Sequence, residues 1–461
     1  RRARLRLRPH PSARPFRAVA RRRRPRQPPR APRAPSPGGW LEEDVFTNPA
    51  CARAVGNLLG VPWIYAFASA ARFVWEALAA TGKIYVCGGV DANRVLRSVE
   101  CFDLAKGQWL SSPPAPMNRP RGGAASCIAG GTLFMCGGSD GSGWLNTLER
   151  FDPGLNNWKV LPSMKTARIY AAILTLRGLL YICGGHTLHN VPIAAVDPHE
   201  FVRGADLWEV DSPLGSKGIC TPQFLPVEER FDPRQHAWKE VQSMLDRRTV
   251  PMAAVANSQI YVYGGIDNEY LSSVERFDPD ADCWQALPPM LFCRGYAGSC
   301  ISRGHVYVCG GTGHARGLRG SETQELRACE RYSVRRNCWE ELPPLRAKRS
   351  GCWLAARNSG LFCAGGAASG GPSVEFLDLA RRLEWEAVGP PEKKPWTFGF
   401  VTAVADHIYI IGGRRSESHS QGCWDTLISS MVRYSMANNT WDQLPPLKEA
   451  RIFAGGFHSI V

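Results

Sequence analysis

One pattern limits what this chain can fold into more than any other. A run of β-branched and apolar residues ending in a glycine pair is written seven times: KIYVCGG, TLFMCGG, LLYICGG, QIYVYGG, HVYVCGG, GLFCAGG and HIYIIGG. The pairs are Gly88 and Gly89, Gly137 and Gly138, Gly184 and Gly185, Gly264 and Gly265, Gly310 and Gly311, Gly365 and Gly366, and Gly412 and Gly413. An aromatic (Tyr85, Phe134, Tyr181, Tyr261, Tyr307, Phe362, Tyr409) stands three positions before each first glycine. Successive pairs lie 49, 47, 80, 46, 55 and 47 residues apart. Periods of that size on short strands point to a propeller or solenoid rather than separate globules.

A second pattern follows each pair, as in LERFDPGLNNW, EERFDPRQHAW and VERFDPDADCW. Phe102, Phe151, Phe231, Phe277, Tyr332 and Tyr434 precede Trp109, Trp158, Trp238, Trp284, Trp339 and Trp441 by seven residues, and only Phe376 to Trp385 stretches to nine. An apolar strand, a turn of Asp, Pro, Asn or Gly, and a Trp opening the next strand is a hairpin signature. In the third pattern a Met or Leu is followed four residues later by an arginine (Arg121, Arg168, Arg248, Arg294, Arg349, Arg451), after which small and apolar residues begin another strand. Each period therefore contains four short strands, the content of one propeller blade. The glycines allow a bend where a Cβ would clash, and the aromatics fill the widening space between blades.

The glycine pair, the aromatic before it, and the Tyr/Phe and Trp downstream resemble the Kelch motif over residues 83–461. The resemblance implies an all-β, seven-bladed propeller of four antiparallel strands per blade, most similar to the propellers of Kelch-like adaptor proteins. Those adaptors carry BTB and BACK domains ahead of the propeller; the residues before position 83 are too few for either together with the basic tail, and the missing initiating Met is the mark expected of a fragment. Ring closure has two candidates. Arg72 precedes Gly88 by the same sixteen residues that separate Arg168 from Gly184, so FVWEALAA competes with the C-terminal RIFAGGFHSIV for the inner strand of the first blade. The C-terminal strand is favoured, because FVWEALAA suits a helix better and a terminal strand that completes the first blade removes an exposed edge.

Alternating strands put the second-to-third connections on the same rim as the connections between blades. From glycine pair to strand aromatic takes 10 to 13 residues in four repeats, 21 in the fifth and seventh, and 46 in the third. Insertions gathered on one face mark a binding face. Kelch-like adaptors bind partner peptides, often acidic, at this rim, which implicates Arg121, Arg168, Arg248, Arg294, Arg349 and Arg451 as guanidinium forks for carboxylates. The competing reading is that these arginines tie down neighbouring turns and carbonyls. Pro395 and Trp396 replace the arginine in one connection, giving an apolar flank. The long insertion at 186–228 contributes Phe201, Leu207 and Trp208 as contact residues. Its His186, His189 and His199 read as loop histidines, since HxxH without helical context is a weak metal signal.

Net charge is +15, but residues 1–40 hold fourteen arginines and no acidic residue, so the repeats are close to neutral. A Pro/Arg-rich tail of this kind is expected to be disordered, with nucleic-acid contact, nuclear import through RRRRPR, an organelle transit role or no dedicated role as its readings. Residues 41–82 read as a partly helical linker; within it the uncharged stretch 54–71 is a borderline membrane span, and a buried or amphipathic segment is the commoner identity at that length. Of sixteen cysteines, Cys87, Cys136, Cys183 and Cys309 precede glycine pairs in four repeats, too far apart to pair. They are expected to be buried free thiols in an intracellular, reducing compartment, cytoplasmic or reached from there by nuclear import. No phosphate loop, nucleophile elbow or paired-carboxylate motif stands out. The expectation is a non-enzymatic interaction module with no cofactor or metal, binding a protein partner as a ubiquitin-ligase substrate-recognition subunit or scaffold. Actin binding and a small-molecule propeller enzyme are the alternatives.

Overall fold

The structure, a computed structural model, describes residues 82–91, 94–187, 208–211, 217–220, 223–226, 228–314, 323–357, 360–366, 374–381, 384–388, 396–397, 399–415, 427–452 and 455–459. The tail at 1–40, the stretch at 54–71 and FVWEALAA lie outside them.

Among the described residues there is no helix, and the strands form seven four-stranded antiparallel sheets and several short ribbons. The second sheet shows the common plan: Ala125–Ala129, Thr132–Cys136, Leu148–Asp152 and Asn157–Leu161, each hydrogen-bonded to the next in sequence. The third to seventh sheets begin at Ala172, Met252, Gly298, Trp353 and Phe400 and repeat it. The first sheet takes its first strand from the far end of the chain. Gly455–Ser459 pairs with Lys83–Cys87, which pairs with Val99–Asp103 and then Gln108–Trp109.

The second strands are apolar on both faces because both faces are covered. In Lys83–Cys87, Ile84 and Val86 pack against Tyr409, Ile411 and Met431 of the seventh sheet, while Tyr85 and Cys87 pack against Leu133, Met135 and Phe151 of the second. Five further apolar clusters join the remaining neighbours in the same way. The tryptophan of each hairpin then reaches the preceding sheet through its indole N–H: Trp109 to Pro445 O, Trp158 to Ala115, Trp238 to Pro162, Trp284 to Gln242, Trp339 to Pro288, Trp385 to Pro343 and Trp441 to Val388, at 2.7–3.0 Å. An indole packed along the seam between sheets has one donor to satisfy, and the neighbouring sheet supplies the acceptor.

The sixth sheet corrects one sequence assignment. Phe376 lies opposite Glu386, which puts Leu377, fully buried, at the register held by Phe or Tyr elsewhere and packs it with Trp385. Phe376 turns the other way, its ring 4.8 Å from that of Phe362. The irregular spacing to Trp385 is thus a shifted strand position as well as a longer turn.

Candidate interaction rim

The first glycine of each pair is left-handed, with φ between 61° and 72°. Space forbids any other residue: a Cβ on Gly137 would stand 2.4 Å from the Arg168 carbonyl oxygen, and one on Gly184 2.4 Å from that of Arg248. The second glycine donates its N–H to the same carbonyl, as Gly138 does to Arg168 at 2.9 Å. The glycine pairs and the six arginines therefore form one construction.

The guanidiniums complete it from the other side. Nη1 of Arg121, Arg168, Arg248, Arg294 and Arg349 donates to the carbonyl of the glycine sixteen residues ahead (Gly137, Gly184, Gly264, Gly310, Gly365), and Arg451 donates to Gly88 at 3.0 Å. Each Nη2 meets a buried glutamate: Arg121 with Glu149 at 2.8 Å, Arg168 with Glu229 at 2.6 Å, Arg294 with Glu330 at 2.8 Å, Arg349 with Glu375 at 2.9 Å, Arg451 with Glu100 at 2.6 Å, and Arg248 with Glu275. The same carboxylates accept the backbone N–H that follows the Met or Leu of the connection, from Asn118, Lys165, Leu245, Leu291, Arg346 and Lys448. No arginine of the six is more than 2% exposed. Expected as grips for an acidic partner, they are instead consumed inside the chain: a guanidinium already neutralised and out of water has no fork to offer a ligand.

Sequence reasoning missed the glutamates, though LERF, EERF and VERF display them two residues before the strand aromatic. Their partners confirm the logic of charge burial. In the one connection where Trp396 holds the arginine's place, the glutamate's place two residues before Tyr434 is held by buried Val432. Arginine and glutamate are absent together, as they must be where neither can be buried alone.

Beyond the glycine pairs in the chain lie side chains that are not consumed. His186, directly after its glycine pair, is 5% exposed; its Nδ1 lies 2.8 Å from Thr249 Oγ1 and its Nε2 has no partner. Burial pulls its imidazole down to about 4. Three aromatic rings surround it: Trp144 edge-on at 4.8 Å between centroids, Tyr170 at 5.8 Å and Phe224 at 6.2 Å. Trp144 is itself 9% exposed and its indole N–H has no partner. Leu245, in the connection before Arg248, is by contrast open to solvent at 61%.

The long insertion contains strands of its own. His186–Thr187 pairs with Gln223–Phe224, and Trp208–Asp211 forms a hairpin with Lys217–Cys220. Trp396–Thr397 pairs with Arg414–Arg415. His189, His199, Phe201, Leu207 and Pro395 lie outside the described residues. Among those described, no group of His, Cys, Asp or Glu is arranged to hold a metal ion, and no helix is long and apolar enough to cross a membrane.

A solved chain titled "Structure of YjhT" superposes with a TM-score of 0.49 at 15% identity, over 71% of this chain and 99% of that one. Among curated proteins, Kelch-like protein 34 of Homo sapiens is 31% identical over 138 residues, 28% of this chain and 20% of its own length. Kelch-like protein 23 of Homo sapiens is 26% identical over 207 residues, 42% of this chain and 28% of its own. The matched stretch is thus less than a third of either relative. The family model for the Kelch motif matches residues 76–116, 120–165, 253–291, 293–346 and 397–448, together half of the chain. With the repeated four-stranded sheets, the family-model match establishes that the chain belongs to the Kelch-repeat family of β-propellers.

Proposed function

We propose that the chain is a seven-bladed Kelch propeller, closed by its C-terminal strand, that works as a protein-interaction module through the rim bearing the second-to-third strand connections. Closure is supported by the pairing of Gly455–Ser459 with Lys83–Cys87, the Arg451–Glu100 ion pair and the bond from Trp109 to Pro445 O. The interaction reading rests on one observation above all: long connections gather on one rim while the arginines there are internally neutralised, so recognition passes to the loops. Similarity to Kelch-like proteins agrees with a recognition or scaffolding role; the specific form of that role proposed for this chain is service as the substrate-recognition part of a ubiquitin ligase. Thirteen described cysteines are all free thiols, which favours a reducing intracellular setting.

The test is cross-linking and affinity capture from cells, comparing the full chain with a variant in which residues 188–222 are replaced by a short Gly/Ser linker. Loss of specific partners by the shortened but folded variant is the expected outcome. An identical partner set would move the interaction surface away from this rim.

A further inference from the structure

Building on the reading of this rim as the interaction surface, we propose that Trp144, His186, Tyr170 and Phe224 form an aromatic pocket that takes an uncharged carboxamide, such as a glutamine or asparagine side chain, from the partner. The argument begins with unmet hydrogen bonds. A buried donor or acceptor left unpaired is costly, and native chains keep few of them without a reason. Here two such atoms, the Trp144 indole N–H and His186 Nε2, belong to rings whose centroids are 4.8 Å apart. They sit where strands of three successive repeats converge. The His186 backbone bridges Ile169, its ring meets Thr249, and Trp144 bridges Ser139.

The chemistry of the two atoms selects the ligand. An indole nitrogen can only donate, so the incoming group must present an acceptor oxygen to Trp144. Imidazole Nε2 donates or accepts according to which atom holds the proton shared between Nδ1 and Thr249 Oγ1. A carboxamide satisfies both cases, with its oxygen toward Trp144 and either its oxygen or its NH2 toward His186. A carboxylate suits the pocket poorly. The imidazole stays neutral at physiological pH, and the arginines of the flanking connections, Arg168 and Arg248, are already paired with Glu229 and Glu275. An anion buried here would find these two guanidiniums already neutralised. Tyr170 and Phe224 supply the apolar walls that desolvate the amide and so make its hydrogen bonds selective.

The experiment is NMR titration of the full chain, 15N-labelled at tryptophan, histidine and leucine. Two synthetic pentapeptide pools serve as probes, Ac-Xaa-Xaa-Gln-Xaa-Xaa-N(CH3)2 and its Glu counterpart, with Xaa drawn from Gly, Ala, Leu and Phe, so that the Gln side chain is the one primary carboxamide in either pool. The Gln pool is expected to move the Trp144 indole N–H and His186 Nε2 resonances, while the Glu pool does not. His186→Phe, which keeps an aromatic ring, should weaken Gln-pool binding about tenfold, the effect of one lost hydrogen bond. Trp144→Phe should do the same and serves if the first variant is unstable. Equal shifts from both pools, or shifts at the exposed rim residue Leu245 without any at Trp144, would overturn the carboxamide pocket while leaving the interaction rim standing. If neither pool moves any rim resonance, the rim reading fails together with the pocket.

Discussion

Arg451 and Glu100 are 351 positions apart in sequence and 2.6 Å apart in space, in a buried ion pair whose arginine also donates to the Gly88 carbonyl at 3.0 Å. The chain's last register arginine therefore performs for the first glycine pair what each other arginine performs for the pair sixteen residues ahead of it. The contact joins the seventh sheet's exit to the first sheet's second and third strands. It uses side chains that elsewhere connect neighbours in sequence.

Geometry, and not charge alone, makes these arginines effective. Arg294 spreads its fork over Gly310 O, Ala328 O and Glu330. Arg294→Lys keeps the charge but cannot span the three acceptors. It is expected to cost about 2 kcal/mol, the value of one or two charge-assisted hydrogen bonds, measured by urea unfolding of the full chain.

Glu228 is an anomaly of the third sheet. It is fully buried, its carboxyl meets nothing stronger than the Cys183 thiol, and the aligned positions in other sheets are apolar: Val99, Leu148, Val274, Val374 and Met431. Burial pushes its carboxyl well above the ordinary carboxylate range. A group whose folded pKa is raised gives its full stability below the unfolded value, near 4.5, and loses it as pH rises toward the folded value. Glu228→Leu should gain about 1–3 kcal/mol at neutral pH and progressively less as pH falls toward 4.5. A difference independent of pH would show that the carboxyl does not titrate abnormally.

Two glycines with similar backbones separate strain from collision. Gly137 has φ 64° and would drive a Cβ to 2.4 Å from Arg168 O, whereas Gly178 has φ 75° and nothing within 4 Å. Gly178→Ala should cost only the left-handed penalty of about 1–2 kcal/mol. Gly137→Ala should cost distinctly more, because backbone must move, and a comparison of denaturation midpoints reads the difference.

Thiol reactivity should follow burial. Cys283 is exposed, while burial pushes the Cys136 thiol up to about 12 and raises Cys183 as well. Mass spectrometry after brief alkylation at neutral pH should find Cys283 modified and the thiols before the glycine pairs intact. Early modification of Cys136 would mean that the second strand of its sheet opens readily.

The repeat was legible because its signals are local. The glycine pair, its upstream aromatic and the Trp-led hairpin each occupy a few adjacent residues, and each reflects a constraint within one sheet or at its seam with the next. The arginines' role was not decidable in the same way. Arg168 finds Glu229 61 residues later, beyond an insertion, while Arg121 finds Glu149 after 28. No fixed spacing announces the pair, and an arginine that grips a ligand has the same sequence signature as one that holds a turn. Leu377 was hidden by an adjacent Phe376 of the expected type. His186 looked like one histidine among several on a long loop; only the packing of Trp144, from the preceding repeat, sets it apart.

The most direct test of the arginine ring as a structural and closing device is a double-mutant cycle on Arg451→Met and Glu100→Val in the full chain, read by urea unfolding. Arg451→Met strands the buried Glu100 carboxylate and should cost about 3–5 kcal/mol, Glu100→Val leaves Arg451 its second partner Glu449 at 3.1 Å and should cost less, and the double variant, resembling the seventh sheet's own solution with Val432, should recover most of the loss. Single variants that unfold like the parent, with a coupling near zero, would mean that the two ends of the chain do not meet through this pair.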